Sequence, residues 1–458
     1  MVMASDPGPG QGRVNIAVIG TGISGMSAAW LLSQGHDVTV YEQDARLGGH
    51  SNTVEAPRSG GRGVTPVDTG FIVYNDRNYP NLVALFEHLK VPTKASEMSF
   101  AVSIDDGALE YGTTTIGQLI AQKRNMVRPR FWSMLNDLLR FYRAAPSFQE
   151  TGDAVTSLGD YLDAGRYGRA FQEDHLLPMA AAIWSTPSGR IRDYPAAAMI
   201  RFCDNHGLLK VNNRPQWRTV DGGSREYVKR LTAAFVDRVR LGRGARQVSR
   251  THDGVTITDA SGETARFDHA VFACHADQAL AMLTDPSVEE RALLGAFRYT
   301  LNETILHTDA SLMPKRKSIW SSWNYSAGSG VEAGPPCVTY WMNRLQSIPE
   351  DNPLFVTLNP VKRPRPDSVI RTEMYEHPLF DEAAIRAQRK LWGLQGQRNS
   401  WFCGAYFGSG FHEDGLQAGL AVAEQLGGVR RPWRVPNESG RIVLTARTVA
   451  ESEQELLT

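Results

Sequence analysis

The sequence is poor in cysteine: Cys203, Cys274, Cys337 and Cys403 are the only four in 458 residues, and no two form a CxxC pair. That spacing excludes a disulfide scaffold and the usual zinc, thioredoxin-like and iron–sulfur signatures, so no metal site is expected. Each cysteine reads as a small buried hydrophobe. Excess charge is also missing. Lys plus Arg (49) equals Asp plus Glu (49), so no global field attracts polyanions and no nucleic-acid partner is expected. No apolar run approaches the ~18 to 20 residues of a membrane span. Met1 to Arg13 lacks the apolar stretch of a signal peptide. The expectation is a cytoplasmic protein whose membrane contact, if any, is peripheral at the inner face. Internal repeats and low-complexity segments are absent too. Hydrophobic residues at 42% and charged residues at 21% suit substantial cores. At a typical ~150 residues per domain the length gives about three units, or two large interleaved ones.

Glycine is plentiful, and its placement is informative. Val14 to Ile19 is a branched apolar run of the kind that forms a buried parallel strand. Gly20, Gly22 and Gly25 follow, Met26 to Leu32 reads as a helix stopped by Gly35, and Val38 to Tyr41 as a second strand ending in Glu42. Strand, glycine turn, helix and strand form a βαβ unit. Gly20 allows the tight turn, Gly22 lets the main chain approach a pyrophosphate, and Gly25 lets the helix press on the strands. The helix N-terminus, at Ile23 and Ser24, offers free N–H groups and a positive dipole end to the anion. Glu42 stands near the position of the acid that bonds a ribose diol, which disfavours a 2′-phosphate. Directly afterwards come Arg46, Leu47, Gly48, Gly49, His50 and Ser51, where a nicotinamide dehydrogenase would start another helix. A second bare-backbone loop there suits a larger cofactor, with Arg46 as a fork of donors.

Further along, Arg246 to Ser249, Val255 to Thr258 and Ala270 to Cys274 read as strands. Gly415 to Leu426 reads as a helix ended by Gly427 and Gly428, with Asp414 able to cap it. Its N-terminus can direct N–H groups at an electron-rich ring edge. Lys123, Arg124, Arg128 and Arg130 precede Phe131, Trp132, Met134, Leu135, Leu138, Leu139, Phe141 and Tyr142. This is either a basic amphipathic helix for a membrane interface or a core-facing surface helix with a solvated basic face.

The GTGISG segment, the acid, RLGG and the glycine-rich segment from Gly404 to Gly419 together resemble the FAD-dependent amine oxidase and phytoene desaturase superfamily. Within it, Asp68 to Asn75, Trp217 to Ser224, Val338 to Gln346 and Gly410 to Glu424 are most similar to bacterial NAD/FAD-binding proteins linked to fatty-acid cyclopropanation and methylation. The resemblance implies an α/β fold in which a Rossmann-like FAD-binding domain is interleaved with an α+β substrate domain. The cofactor domain is then 1–71, 218–275 and 396–428, the substrate domain 72–217 and 276–395, and 429–458 a weakly structured tail. FAD is the implied cofactor. Beyond the glycines, Gln43, Gly70, Phe71, Gly404, Phe411, Glu413, Asp414, Gly415 and Leu416 are its implied neighbours, with the Val248 main chain facing adenine. Independently, Val248 is a strand valine suited to a core. No second strand-anchored GxGxxG appears, so electrons enter from substrate by hydride transfer to flavin N5.

Three residues are catalytic candidates. His50 follows the second glycine loop and suits either a proton shuttle or a hydrogen bond to the cofactor. Tyr340 belongs with Trp320, Trp323, Tyr325 and Trp341 on expected strands Ser318 to Tyr325 and Val338 to Asn343, as an aromatic slot or as plain core. Tyr406 either compensates for Phe411, which stands where amine oxidases usually carry tyrosine, or packs at a strand end. The lysine that amine oxidases hold near N5 has no firm match, although Lys315 and Lys317 flank a suitable strand. His206 and His412 are ambiguous in the same way as His50. The expected activity is desaturation or dehydrogenation of a fatty-acyl chain. The alternatives are amine oxidation, redox-neutral double-bond isomerisation, and a non-catalytic flavoprotein partnered by a lipid methyltransferase.

Overall fold

The computed structural model describes residues 12–58, 60–61, 63–151, 156–184, 188–209, 215–327 and 337–444. Asn15–Ile19 forms the central strand of a parallel sheet, paired with Asp37–Tyr41 on one side and His269–Phe272 on the other. Val239–Arg240 and Ser400–Phe402 close its edges, so five short segments drawn from most of the chain build one sheet. Its strands are apolar on both faces because helices and a second sheet layer cover them.

The helix Ile23–Leu32 is buried along its whole length. It is sandwiched by the last helix, His412–Gly427, which packs along it. A Cβ at Gly419 would fall on the Ser24 carbonyl oxygen, so the small-residue face of the late helix sets how close the two can come. The helix begins at Ile23, three residues ahead of the apolar run that marks it in the sequence, because the glycine turn feeds straight into it.

Three antiparallel strands, Ala245–Thr251, Gly254–Asp259 and Thr264–Phe267, form a separate sheet. A seven-stranded mixed sheet runs in the order Val369–Leu379, Arg298–His307, Phe355–Leu358, Cys337–Trp341, Trp323–Ala327, Phe100–Ile104 and Leu109–Gly112. The aromatic strands differ from expectation. Lys317–Ile319 is a turn of 3-10 helix, so the strand starts only at Trp323, and Met342 begins a short helix, Met342–Leu345, so it does not share a strand face with Tyr340. Phe100–Ile104 lies parallel to the Trp323 strand and sets its length, which local pattern does not reveal.

Among the described residues, helices dominate 116–151, 156–184 and 188–205. The longest, Pro129–Thr151, packs on Ala196–Asn205. Of the tail 429–458, expected to be weakly structured, residues 429–444 are docked, and 445–458 lie outside the described residues. Trp433 stacks on Trp30 with ring centroids 5.8 Å apart, and buried Arg431 grips Glu424 at 2.7 and 2.8 Å. Among the described residues no helix is long and apolar enough to cross a membrane, and no metal-binding cluster of His, Cys, Asp or Glu occurs.

Candidate functional site

The three glycines of the first turn do different jobs. Gly20 has φ +104°, and a Cβ there would sit 2.9 Å from the Ala273 carbonyl oxygen. A Cβ at Gly25 would fall on the Gly20 carbonyl oxygen. Gly22 has an ordinary φ of −62°, and nothing lies within 4 Å of where its Cβ would be. Gly20 and Gly25 are therefore required by packing against the protein itself. Gly22 borders free space at an uncapped helix N-terminus, an arrangement that suits a pyrophosphate. Glu42 is buried at the end of the next strand. Its carboxylate accepts the Thr21 N–H (2.9 Å), the Thr21 hydroxyl and the Asp44 N–H (2.9 Å). Those bonds fill three of about four acceptor positions and leave about one for a ribose hydroxyl.

The second loop lies on the first. The Gly48 N–H donates to the Thr21 carbonyl at 3.1 Å, and a Cβ on Gly49 would be 3.1 Å from the Gly22 Cα. Arg46 turns back to donate to the Gly49 carbonyl at 2.8 Å, which fixes the loop. Its last residues reach polar partners far away in sequence. Ser51 Oγ and the Tyr227 hydroxyl are hydrogen-bonded to each other, and each is 3.0 Å from His412 Nε2. The His412 ring lies flat on Phe71 with centroids 3.7 Å apart, and burial pulls its pKa down to about 3, so it is neutral. His50 is stacked against Tyr375 (5.0 Å) and His377 (5.6 Å), with Nε2 buried and without a partner. Burial, reinforced by the neighbouring His377, His275, His412 and Arg46, holds it well below the usual histidine range. Gly70 is confined because a Cβ would fall on the His50 carbonyl oxygen.

Asp68, at the head of the same segment, is buried and accepts from Thr53 Oγ1 (2.6 Å), Ser224 N–H and Oγ, and Gln346 Nε2 (2.9 Å). Burial lifts its carboxyl to about 6 against the bonds that favour its charge. It ties together residues 53, 224 and 346, a scaffold role.

At the N-terminal end of the last helix both carboxylates have protein partners. Glu413 is fully buried and accepts from the Asn81 and Leu82 N–H groups at 3.0 Å, capping the helix Pro80–His88, and from Gln417. Asp414 accepts the Phe411 N–H at 2.7 Å and pairs with Arg441 at 2.6 Å. Gly415 and Leu416 press on the first helix, where a Cβ on Gly415 would meet Ile23 Cγ2 at 3.0 Å.

Phe411 borders a ring-lined wall. Phe202 stacks on it at 4.8 Å, and His206 lies 5.8 Å from Phe411, 3.8 Å from Phe202, 5.9 Å from Trp217 and 6.2 Å from Tyr79. The Nδ1 of His206 is 2.9 Å from the Phe202 carbonyl oxygen and must carry the proton, because a carbonyl only accepts. Nε2 is then a bare acceptor, buried and without a partner. Burial pulls this histidine to about 3.

Other candidates lie apart from these clusters. Tyr340 packs edge-on to Trp323 at 5.0 Å, and burial raises its phenol above the ordinary range. Tyr406 sits on the turn Ala405–Phe407 just after the Ser400–Phe402 strand and Gly404, against Phe297 and Phe407, with its hydroxyl buried and unpartnered. Cys274, on the segment beyond the His269–Phe272 strand, is pushed up to about 12 by burial. Val248 is fully buried, and its carbonyl accepts the Thr284 N–H at 3.1 Å. The Gln43 side chain points to the surface. Lys315 pairs with Asp106 at 2.6 Å and Lys317 lies over Trp320, so both are engaged away from the glycine loops. Sequence reasoning missed Phe202, Tyr227, Tyr375 and His377. Only the last two left a signal, the i, i+2 spacing that puts them on one strand face.

The open face of Gly22, the uncapped helix N-terminus and the buried unpaired His50 Nε2 fit a large dinucleotide cofactor. Fold and cradle together define the frame of a flavin-binding protein. The model of the flavin containing amine oxidoreductase family matches residues 23–344, and the chain belongs to that family; its cofactor is FAD. A Mycobacterium tuberculosis protein named as a flavin-containing monoamine oxidase, AofH, is 27% identical over 265 residues, 55% of this chain and 54% of that protein. The chain thus spans about half the length of the curated relatives it matches. Cyclohexylamine oxidase from Brevibacterium oxydans superposes with TM-score 0.63 at 17% identity, covering 91% of this chain and all of that one. The CLA-producing fatty acid isomerase from P. acnes gives 0.63 at 14% identity over 90% and 97% of the two chains. At these identities the structural likeness establishes the fold.

Proposed function

We propose that this flavoprotein dehydrogenates an apolar, fatty-acyl-type chain. The observation that carries the reading is the wall at Phe411. Rings of Phe202, Phe411 and Trp217 surround an uncharged histidine, and the two carboxylates beside it are already committed to Asn81, Leu82 and Arg441. An ammonium entering there meets rings and neutral imidazoles, whereas an alkyl chain finds apolar contact. Residues 1–71, 218–275 and 396–428 are proposed to hold FAD, and 72–217 with 276–395 to receive the substrate. Bound FAD supplies a hydride acceptor at N5, reoxidised by oxygen or a carrier. The chain's own residues position and exclude water. His206 Nε2 accepts a hydrogen bond from the O–H of the substrate chain's protonated carboxyl end, and its low pKa makes it an orienting group in place of a base. His50 Nε2, held well below the usual histidine range by burial, is likewise a neutral acceptor in place of a base, and the proton released from the adjacent carbon passes to bulk water.

A flavin amine oxidase is the second reading, favoured by relatives named for amine oxidation and by the aromatic wall itself. Anaerobic mixing decides between the two: an acyl lipid is expected to bleach the yellow protein, and bleaching by amines alone would overturn the first reading. Product mass separates dehydrogenation, which removes two hydrogens, from isomerisation, which conserves mass. Turnover only with an added lipid methyltransferase would point to a complex.

A further inference from the structure

We infer that the surface from Ile116 to Trp132 docks on an anionic phospholipid bilayer. Ile116 is 78% exposed, Val127 82%, Met126 43% and Trp132 53%. Trp132 is the one aromatic side chain among the strongly exposed large apolar residues of the described structure. Its indole N–H donates to the Met126 carbonyl at 2.8 Å, which holds the ring beside the loop that carries Val127. The opposite face of the same helix is core, with Phe131, Met134 and Phe141 buried, so the outward residues are surplus to packing. A rigid, half-buried indole with its polar edge satisfied is the side chain that best suits a membrane–water interface.

Charge selects the occupant. Between 116 and 143 stand six basic residues, Lys123, Arg124, Arg128, Arg130, Arg140 and Arg143, against a single acid, Asp137. Arg124 and Arg128 donate to the main-chain carbonyls of Gly107 and Ala108, neutral acceptors that fix their position without cancelling charge. Arg130 is neutralised by Glu173 and Asp174, and Asp137 by Arg140. The neighbouring acids Asp106 and Glu110 are held by Lys315 and Arg316. A second copy of this chain would bring the same basic face to a two-fold contact and be repelled. A bilayer carrying negative headgroups answers both the apolar tip and the positive surround.

The location also connects to the site. The helix Pro129–Thr151 starts at the patch and packs on Ala196–Asn205, whose following residue is His206 beside Phe411. The docking face is therefore joined, through one packed helix, to the elements that line the wall. This gives the face a purpose that rests on the acyl-chain reading, although vesicle binding itself does not depend on it.

The test uses the full-length holoprotein and co-sedimentation with two kinds of vesicle, phosphatidylcholine alone and phosphatidylcholine mixed with phosphatidylglycerol. The expected result is binding to the mixed vesicles only, weakened by salt. In the Val127→Ser, Trp132→Ser double variant the bound fraction falls about tenfold while the flavin spectrum and melting temperature stay unchanged. Lys123→Glu lowers binding and flattens its salt dependence. Equal binding by wild type and double variant would overturn the inference, as would absence of binding to phosphatidylglycerol vesicles. Loss of a concentration-dependent dimer in the double variant would assign the face to a second copy instead. Vesicle binding with no bleaching by any acyl lipid would sink the substrate reading and leave the docking face standing.

Discussion

The nucleotide cradle and the wall beside Phe411 are built by opposite means. In the cradle the working feature is an absent side chain: Gly22 keeps open the space that Gly20 and Gly25 surround with packed backbone. In the wall the working feature is side-chain surface, brought together from Phe202, His206, Trp217 and Phe411 across about half the chain. The first tolerates no added atoms and is local in sequence. The second is a set of rings in which shape and one acceptor atom decide what fits.

The largest expected effect breaks the cradle. Gly22→Val has an accessible backbone geometry and room for its side chain, so the protein should fold with unchanged circular dichroism. FAD retention should fall by at least about a hundredfold, since the pyrophosphate's charge-assisted bonds are worth roughly 1.5–3 kcal/mol each. Gly25→Val should instead destabilise the whole βαβ unit, because its Cβ has no space in any state. A yellow Gly22→Val protein would mean that the cofactor avoids this turn.

A second large effect is the acid response of the ring-lined regions. Burial lowers His206 and His412 to about 3 and His175, His307 and His377 to about 4, so each is neutral when folded and charged when unfolded below pH 6.5. Their contribution is full above pH 6.5 and is lost as pH falls toward 4, at about 1.4 kcal/mol per pH unit for each histidine. Calorimetry between pH 7 and 4 should show a steep drop in melting temperature with uptake of several protons on unfolding; a flat profile would contradict the buried neutral histidines.

A smaller effect sharpens the wall. His206→Phe keeps a ring and deletes the acceptor, and should lower kcat/KM by about tenfold, the worth of one hydrogen bond, with an unchanged flavin spectrum. His206→Asn should recover part of the loss. The smallest concerns Tyr340: replacing it by Phe removes only the hydroxyl from a ring packed on Trp323. Stability and rate should shift by less than about 0.5 kcal/mol, and a tenfold loss of turnover would move Tyr340 into the site.

Much of the cradle was legible because its signals are local. The strand at Asn15, the turn at Gly20 and the helix from Ile23 follow one another without a gap, and each needs only its near neighbours to be recognised. Glu413 and Asp414 illustrate the limit. Their position in the first turn of the last helix marks a helix start, yet their partners, Asn81, Leu82 and Arg441, belong to segments that no spacing links to residue 413. The basic stretch divides in the same way: Phe131 and Trp132 are adjacent and equally hydrophobic, but the helix turns one into the core and the other outward.

By itself, then, the sequence determined a glycine turn between strand and helix, a second glycine loop and a late small-residue helix, because steric demands on backbone are written in the residues that meet them. Tertiary structure alone decided that His206 keeps a free acceptor beside Phe411 and that Ser51, Tyr227 and His412 share one polar cluster. It also decided that residues 429–444 clamp the cofactor-side helix. These are contacts between distant segments, and long-range packing sets them without leaving a periodic trace in either partner.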